Sequence, residues 1–394
     1  MERKQAIIRG LKSFDYLLAL TVIGVSVFGV VMIYASHNHA GTPISQYNLF
    51  GEIWRLQRFH VITGSILMLV VACVSYRFIT RFFLFIYGFM MLLLLALMIM
   101  GPDPITNTAR WLPIPIPGVG AFRMQPSEFA KIFMIIFLAK FLDVKKDDFN
   151  RFLWLMLVLM TIAAPVLLIF RQPSLSAAMV ILCTSLTVLF AAGLKLRYIL
   201  IGIALVVPVF ILIWLDLQRA ETLFLHRILA DYMITRIRTA IYPVPGSPEF
   251  WQVEHSIRAI ATGGLTGKGF MNHYVFVTFS HNDFIFAVVA EQFGFVGGVA
   301  LIGAVLLMVV RCIFIALRAI DLQGRLIAAG VAGMLIFETF FHVGVGTGLL
   351  PPTGVPFPFV SYGGSMIWVH MIAMGMVLNV GLKRDIDELE EDLI

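Results

Sequence analysis

The sequence is poor in charge. Only 13% of its 394 residues are Asp, Glu, Lys or Arg, against 60% hydrophobic, and the mean hydropathy is +0.92. So few charges cannot cover a water-facing surface, which excludes a soluble enzyme and leaves a polytopic membrane protein. Cysteine is scarce too. Cys73, Cys183 and Cys312 each lie inside an apolar run, where the thiol behaves as a small hydrophobe, so neither a disulfide framework nor a thiolate metal cluster follows. Long basic tracts are also missing. The net charge of +6 is scattered through short loops between apolar runs, which reads as a topology signal and argues against a nucleic-acid partner.

What the chain does have is apolar runs of about the length that crosses a bilayer as helix, roughly twenty residues. They fall at Tyr16–Ala35, Phe59–Val74, Phe82–Met100, Pro126–Leu142, Phe152–Phe170, Leu175–Ala192, Tyr198–Leu215, Phe284–Val310, Leu326–Val345 and Met366–Val380. The fold class is therefore an all-α bundle of about ten transmembrane helices. The first run follows Arg3, Lys4, Arg9 and Lys12 and is longer than a signal-peptide core, so it reads as a retained span. Placing the N-terminus in the cytoplasm puts Arg77/Arg81, Lys145/Lys146/Arg151, Lys195/Arg197, Arg311/Arg318/Arg325 and Lys383/Arg384 inside, as the positive-inside rule asks. One membrane domain results: helices one to seven over 16–215, a large extracytoplasmic loop over 216–282, helices eight to ten over 283–382, and an acidic, solvated cytoplasmic tail over 383–394.

Two outer segments are more than connectors. Thr106–Gln125 gathers Pro113, Pro115 and Pro117 with Gly118 and Gly120. It cannot continue a helix and reads as a re-entrant or interface-hugging loop. In the large loop, Leu225, Leu229, Tyr232 and Ile237 share a helical face from which Arg227, Asp231 and Arg238 are excluded. This predicts an amphipathic helix at the outer interface, either capping the bundle or touching substrate.

Most of the polar chemistry is concentrated between Trp251 and Gly298, where a loop rich in glycine turns at Asp283 into a long apolar helix. The run Gly263–Gly269 is not a P-loop, because Thr262 and Gly269 stand where that motif needs Gly and Ser or Thr. Closely spaced glycines with Lys268 suit either an oxyanion or a plain flexible turn. Ionisable residues inside spans are costly and need a reason. Glu128 and Lys131 are spaced to pair on one helix face, Glu291 lies about two turns beyond Asp283, and Glu338 is one turn from His342. Each is either a polar clamp between helices or part of a hydrophilic cavity in the outer half of the bundle.

Four blocks of residues resemble the SEDS family of cell-wall polymerases, whose members include RodA, FtsW and SpoVE. They are Ala109-Arg110-Trp111 with Gln125-Pro126-Ser127-Glu128; Gln172-Pro173; Gly263-Gly264-Leu265 through Gly267-Lys268-Gly269 with Asp283-Phe284-Ile285-Phe286-Ala287; and Leu350-Pro351-Pro352-Thr353-Gly354-Val355-Pro356 with Pro358-Phe359-Val360-Ser361-Tyr362-Gly363-Gly364-Ser365. The resemblance implies a ten-helix enzyme that polymerises lipid II, the undecaprenyl-diphosphate-linked disaccharide peptide, outside the cytoplasmic membrane. It implies a class B penicillin-binding protein as transpeptidase partner. The family's essential aspartate maps to Asp283 and its paired tryptophan to Trp111, and the short tails resemble RodA-like elongation enzymes. The chain departs from the family pattern in places. Ser174 replaces an aspartate, Phe279-Ser280 replaces Pro-Glu, Asn282 replaces a threonine, and Glu338 and His342 stand at positions usually Gln and Asn.

Joining two lipid-linked sugars needs a base for the attacking hydroxyl and positive charge for the departing diphosphate. Asp283 is the expected general base of an inverting transfer, kept ionised by the dipole of the helix it opens; as aspartate is also a favoured N-cap, both roles are open. Arg110, Arg171, Arg236, Arg258 and Lys268 are candidate phosphate partners, with Trp111, Glu128, Lys131, Gln172 and Ser361 as further substrate contacts. A divalent cation, Mg or Mn, could share the charge, although no ligand cluster marks one. The same polar groups suit a transporter that flips the lipid-linked precursor, or a non-catalytic scaffold for the transpeptidase.

Overall fold

A computed structural model describes residues 14–37, 53–101, 110–116, 120–172, 174–218, 231–248, 250–272, 274–278 and 280–391. Arg3, Lys4, Arg9, Lys12, Thr106–Ala109, Pro173, Leu225, Arg227, Leu229 and Phe279 lie outside the described residues. The helices are α1 (Tyr16–His37), α2 (Ile53–Cys73), α3 (Tyr76–Arg81), α4 (Phe83–Met100), α5 (Pro126–Val144), α6 (Phe152–Arg171), α7 (Leu175–Ala191), α8 (Leu196–Leu217), α9 (Asp231–Ile241), α10 (Trp251–Gly263), α11 (Ile285–Leu317), α12 (Leu322–Gly346) and α13 (Gly364–Glu391). Every predicted span falls on one of them. Eight are long and apolar enough to cross a membrane. The other predicted spans are helical as well, but α5 carries Glu128, Lys131, Lys140 and Asp143, and α7 has only 17 residues.

The bundle has a dry outside and a packed inside. None of the apolar window of α8 is buried, an arrangement that lipid tolerates and water does not. Helices α12 and α13 form the centre, with α13 packed along α2 and α12 along α11, α7 and α5. Asn379 clamps that centre, accepting from the Tyr76 N–H at 2.8 Å and donating to the Ala72 carbonyl at 2.7 Å. Several basic loops are brought to shared contacts at one end: Arg77 pairs with Asp321 at 2.9 Å, and Arg311 with Asp15 at 2.6 Å.

The connections hold more structure than their composition announced. The proline-rich segment is an antiparallel hairpin, β1 (Leu112–Ile116) with β2 (Gly120–Met124), in which Leu112 faces Met124 and Ile116 faces Gly120. Proline is tolerated because each strand of a two-stranded sheet has a free edge. Within the large loop, α9 is the expected amphipathic helix in part, burying Met233 and Ile234 and packing Ile237 and Ile241 against Leu217. The stretch after Trp251, expected to be loop, begins with α10, which lays Val253 and Ala259 against α11 and α12. Its apolar positions at spacings of three and four are the helical signal that the loop's overall polarity hid.

The glycine run has a structural task. Helix α11 is broken at Gly294, whose φ of 66° and ψ of −163° leave the helical region, roughly 14 Å along from its first turn. A break frees backbone groups that must pair inside a membrane. Lys268 and Gly269 donate their N–H groups to the Glu291 and Gln292 carbonyls at 2.9 and 3.0 Å, while Phe295 and Val296 donate to the Gly264 and Leu265 carbonyls at 2.8 and 3.1 Å. Only glycine lets the two backbones approach so closely: a Cβ on Gly267 would stand 2.1 Å from the Gln292 carbonyl oxygen, and one on Gly263 2.0 Å from that of Ala290. The N–H groups of Lys268 and Gly269 are thus engaged within the protein and are not turned toward an oxyanion.

Candidate active site

The N-terminal ends of α5, α7, α11 and α13 meet the hairpin, α9 and the 353–356 loop around a cavity of about 480 Å3, within the range of roughly 300–1,000 Å3 common for ligand pockets. Pro126 opens α5 at its first turn, where a missing N–H costs nothing. That start places Gln125, Glu128 and Lys131 along one wall, and the Gln125 N–H donates to Ser365 Oγ at 3.0 Å, tying α5 to α13. Arg110 and Trp111 lead in from the hairpin, and Ser174, Ser176 and Ala177 from α7. Arg236 of α9, Asn282, Asp283, Thr353–Pro356, Tyr362 and Gly363 complete the lining.

Asp283 is held at this cavity by its backbone neighbours and not by its own side chain. Ser361 Oγ donates to the Asn282 carbonyl at 2.7 Å, and the Tyr362 N–H donates to the His281 carbonyl at 2.9 Å. Gln57 of α2 in turn grips the 361–363 strap, donating to the Ser361 carbonyl and accepting from the Gly363 N–H, each at 3.1 Å. The N-cap of α11 is Phe284, and no side chain caps the helix. The carboxylate is therefore available for chemistry, which separates the two roles that the sequence left open. Gly354, at φ +74°, lies over it, where an added Cβ would come 3.5 Å from Oδ2. Removal from water pushes the Asp283 carboxyl up to about 6, with the Arg236 and Arg110 guanidiniums acting in the opposite direction.

Arg110, Trp111, Glu128, Lys131 and Arg236 join Asp283 at the cavity. Other residues singled out from the sequence stand away from its lining. Lys268 is exposed at the glycine splice with its ammonium 5.6 Å from the Tyr274 ring centroid. Arg258 is exposed and paired with Glu254 on its own helix at 2.5 Å, and Arg171 is exposed at the end of α6. Gln172 is buried; its amide donates to the Leu94 carbonyl at 2.8 Å, and its own carbonyl accepts from Arg110 Nε at 3.3 Å. Ser361 is fully buried and engaged with the backbone, its Oγ also accepting from the Phe357 N–H at 2.8 Å.

The buried acids find protein partners. Glu291 accepts from the Tyr274 and Val275 N–H groups at 2.8 and 2.9 Å, pinning the loop that leads to Asp283. Glu338 pairs with Lys131 and with His370, not with His342, whose Nδ1 donates to the Val355 carbonyl at 2.8 Å. His370 was not singled out from the sequence; a histidine four residues into the apolar run from Met366 was its only signal. Among the described residues no three His, Cys, Asp or Glu side chains gather as a metal cluster. Asp283 and Glu128, which line the cavity, are oxygen donors of the kind that Mg or Mn takes together with a substrate phosphate.

Residues 15–385 match the family model of the FtsW, RodA and SpoVE cell cycle proteins. Among curated proteins, the peptidoglycan glycosyltransferase RodA of Treponema pallidum is 30% identical, with 96% of this chain and 99% of that protein aligned. The probable peptidoglycan glycosyltransferase FtsW of Trichlorobacter lovleyi is 31% identical over 95% of each chain. Among solved structures, a chain from work on the structural coordination of polymerization and crosslinking by a peptidoglycan synthase complex superimposes with a TM-score of 0.75 at 28% identity, covering 94% of this chain and 98% of that one. With the match running almost from end to end, the chain belongs to the FtsW, RodA and SpoVE family.

Proposed function

We propose that this peptidoglycan glycosyltransferase polymerises lipid II in the cavity, with Asp283 as general base of an inverting transfer. The observation that carries the proposal is the Asp283 carboxylate, freed from capping and facing a cavity lined by Arg110 and Arg236. Asp283 takes the proton from the attacking sugar hydroxyl as its oxygen bonds to the anomeric carbon. The bond from that carbon to the diphosphate oxygen breaks, and undecaprenyl diphosphate leaves with the electron pair. A base near 6 is ionised at neutral pH and retains more basicity than an ordinary aspartate, which is the compromise that general-base catalysis favours. Arg110 and Arg236 meet the charge that develops on the leaving group, and Trp111 packs an apolar or sugar face of the substrate. A divalent cation bound by Asp283 and Glu128 would add positive charge at the departing diphosphate.

The distribution of basic residues among the loops supports a cavity on the extracytoplasmic side of the bacterial cytoplasmic membrane, with both termini in the cytoplasm. The likeness to a chain from a peptidoglycan synthase complex supports a class B penicillin-binding protein as partner. Detergent-solubilised protein supplied with lipid II tests the activity, because no membrane face exists for a transporter to cross and a scaffold makes no product. Asp283→Asn and Asp283→Ala proteins that stay folded should make no glycan polymer, and wild-type synthesis by either would refute the assignment.

A further inference from the structure

Beside the cavity lies a buried chain of charge. Lys131 is 2% exposed and lines the cavity together with Glu128, which it binds at 2.7 Å. Behind it, outside the lining, Glu338 of α12 binds Lys131 through one oxygen and His370 of α13 through the other, the latter at 2.5 Å. Glu338 and His370 are both fully buried. The other ring nitrogen of His370, Nδ1, lies 2.8 Å from the Met366 carbonyl. A carbonyl only accepts, so Nδ1 carries a hydrogen. The remaining contact, Nε2 to the Glu338 oxygen, then requires one proton between two groups that would otherwise both be acceptors.

We propose that Glu338 and His370 are positioning residues that share one buried proton and hold Lys131 at the cavity wall without leaving net negative charge there. The proposal rests on the reading of the cavity as the diphosphate-binding site. With the proton in place, Glu338 and His370 are neutral as a pair, and Glu128 and Lys131 balance each other. Without it, the wall facing an incoming diphosphate carries one uncompensated negative charge. His342, one turn along α12 from Glu338, is turned away to the Val355 carbonyl and takes no part.

The charge count makes the two positions interdependent, whereas a role in packing does not. His370→Asn offers Glu338 at most an amide hydrogen bond, with no proton to share, and makes the wall negative. Glu338→Gln/His370→Asn removes the acid as well and restores neutrality with an amide pair. At about 10 Å and an effective dielectric near 20, one unit charge alters phosphate affinity on the order of tenfold. Initial rates across lipid II concentrations in detergent should show the KM of His370→Asn raised on that scale with kcat little changed. The double variant should return KM to within about threefold of wild type, the scatter expected of uncoupled changes. A double variant as impaired as His370→Asn, or a loss confined to kcat, would overturn the proposal. If His370→Asn does not fold, His370→Gln compared with Glu338→Gln/His370→Gln provides the same comparison. An Asp283→Asn control keeps the two readings apart, since activity there refutes the base and leaves the KM comparison standing.

Discussion

Ser361 distinguishes a residue that touches substrate from one that places the base. Its hydroxyl, itself without exposure, makes one buried and one partly buried hydrogen bond, accepting from the Phe357 N–H at 2.8 Å and donating to the Asn282 carbonyl at 2.7 Å. Ser361→Ala strands both groups. A buried orphan costs about 1–3 kcal/mol and a partly buried one less, so the variant should lose about 1–4 kcal/mol of stability. The released carbonyl belongs to the residue next to Asp283, and a misplacement of about 1 Å at a reacting group can lower the rate on the order of a hundredfold. Thermal unfolding in detergent measures the first effect, and polymer formation from saturating lipid II below the unfolding temperature measures the second. An unchanged melting temperature with a raised KM would refute this reasoning and return Ser361 to the substrate contacts that the sequence suggested.

The pH profile follows from Asp283, which must be deprotonated to act. With its carboxyl near 6 against 3.8 for an ordinary aspartate, kcat/KM should fall about tenfold between pH 7 and pH 5; a profile flat down to pH 4.5 would contradict the desolvation that raises the acid. Arg236→Ala should move that limb to higher pH, because the guanidinium favours the charged carboxylate, and should lower kcat/KM. Lys268→Ala, exposed and outside the cavity lining, should change the rate less than about twofold, and a large loss would show that the splice reaches the substrate. Gly267→Ala combines a φ of +85° with a Cβ driven into the Gln292 carbonyl, so destabilisation of about 3 kcal/mol is expected, read as a lower melting temperature.

The membrane bundle was legible because burial in lipid writes itself into composition: apolar runs long enough to span, with charge confined to their ends. Asp283 and Trp111 were marked by the family resemblance, and Arg110, Arg236, Glu128 and Lys131 by charge on or beside outer segments; all six line the cavity, whereas Arg171, Arg258, Lys268, Gln172 and Ser361, singled out with them, do not. The misreadings share a cause. Gly263–Gly269 suited either an anion loop or a flexible turn because glycine frees backbone N–H groups, yet what those groups bind depends on a break at Gly294, some 25 residues later in the chain. The hairpin at Leu112–Met124 was hidden by its prolines and glycines, and helix α10 by the overall polarity of its segment, which outweighed a short periodic pattern.

Hydropathy and charge along the chain determined by themselves that this protein crosses the membrane repeatedly and that its chemistry gathers at one end, since transfer between water and lipid acts on each segment alone. Only the folded molecule decided which polar groups meet. Lys131, Glu338 and His370 come from three helices, Ser361 reaches across 79 positions to the Asn282 carbonyl, and Gln57 across 304 to Ser361. Hydrogen bonds and ion pairs act over a few ångströms in space, and separation along the chain carries no record of that distance.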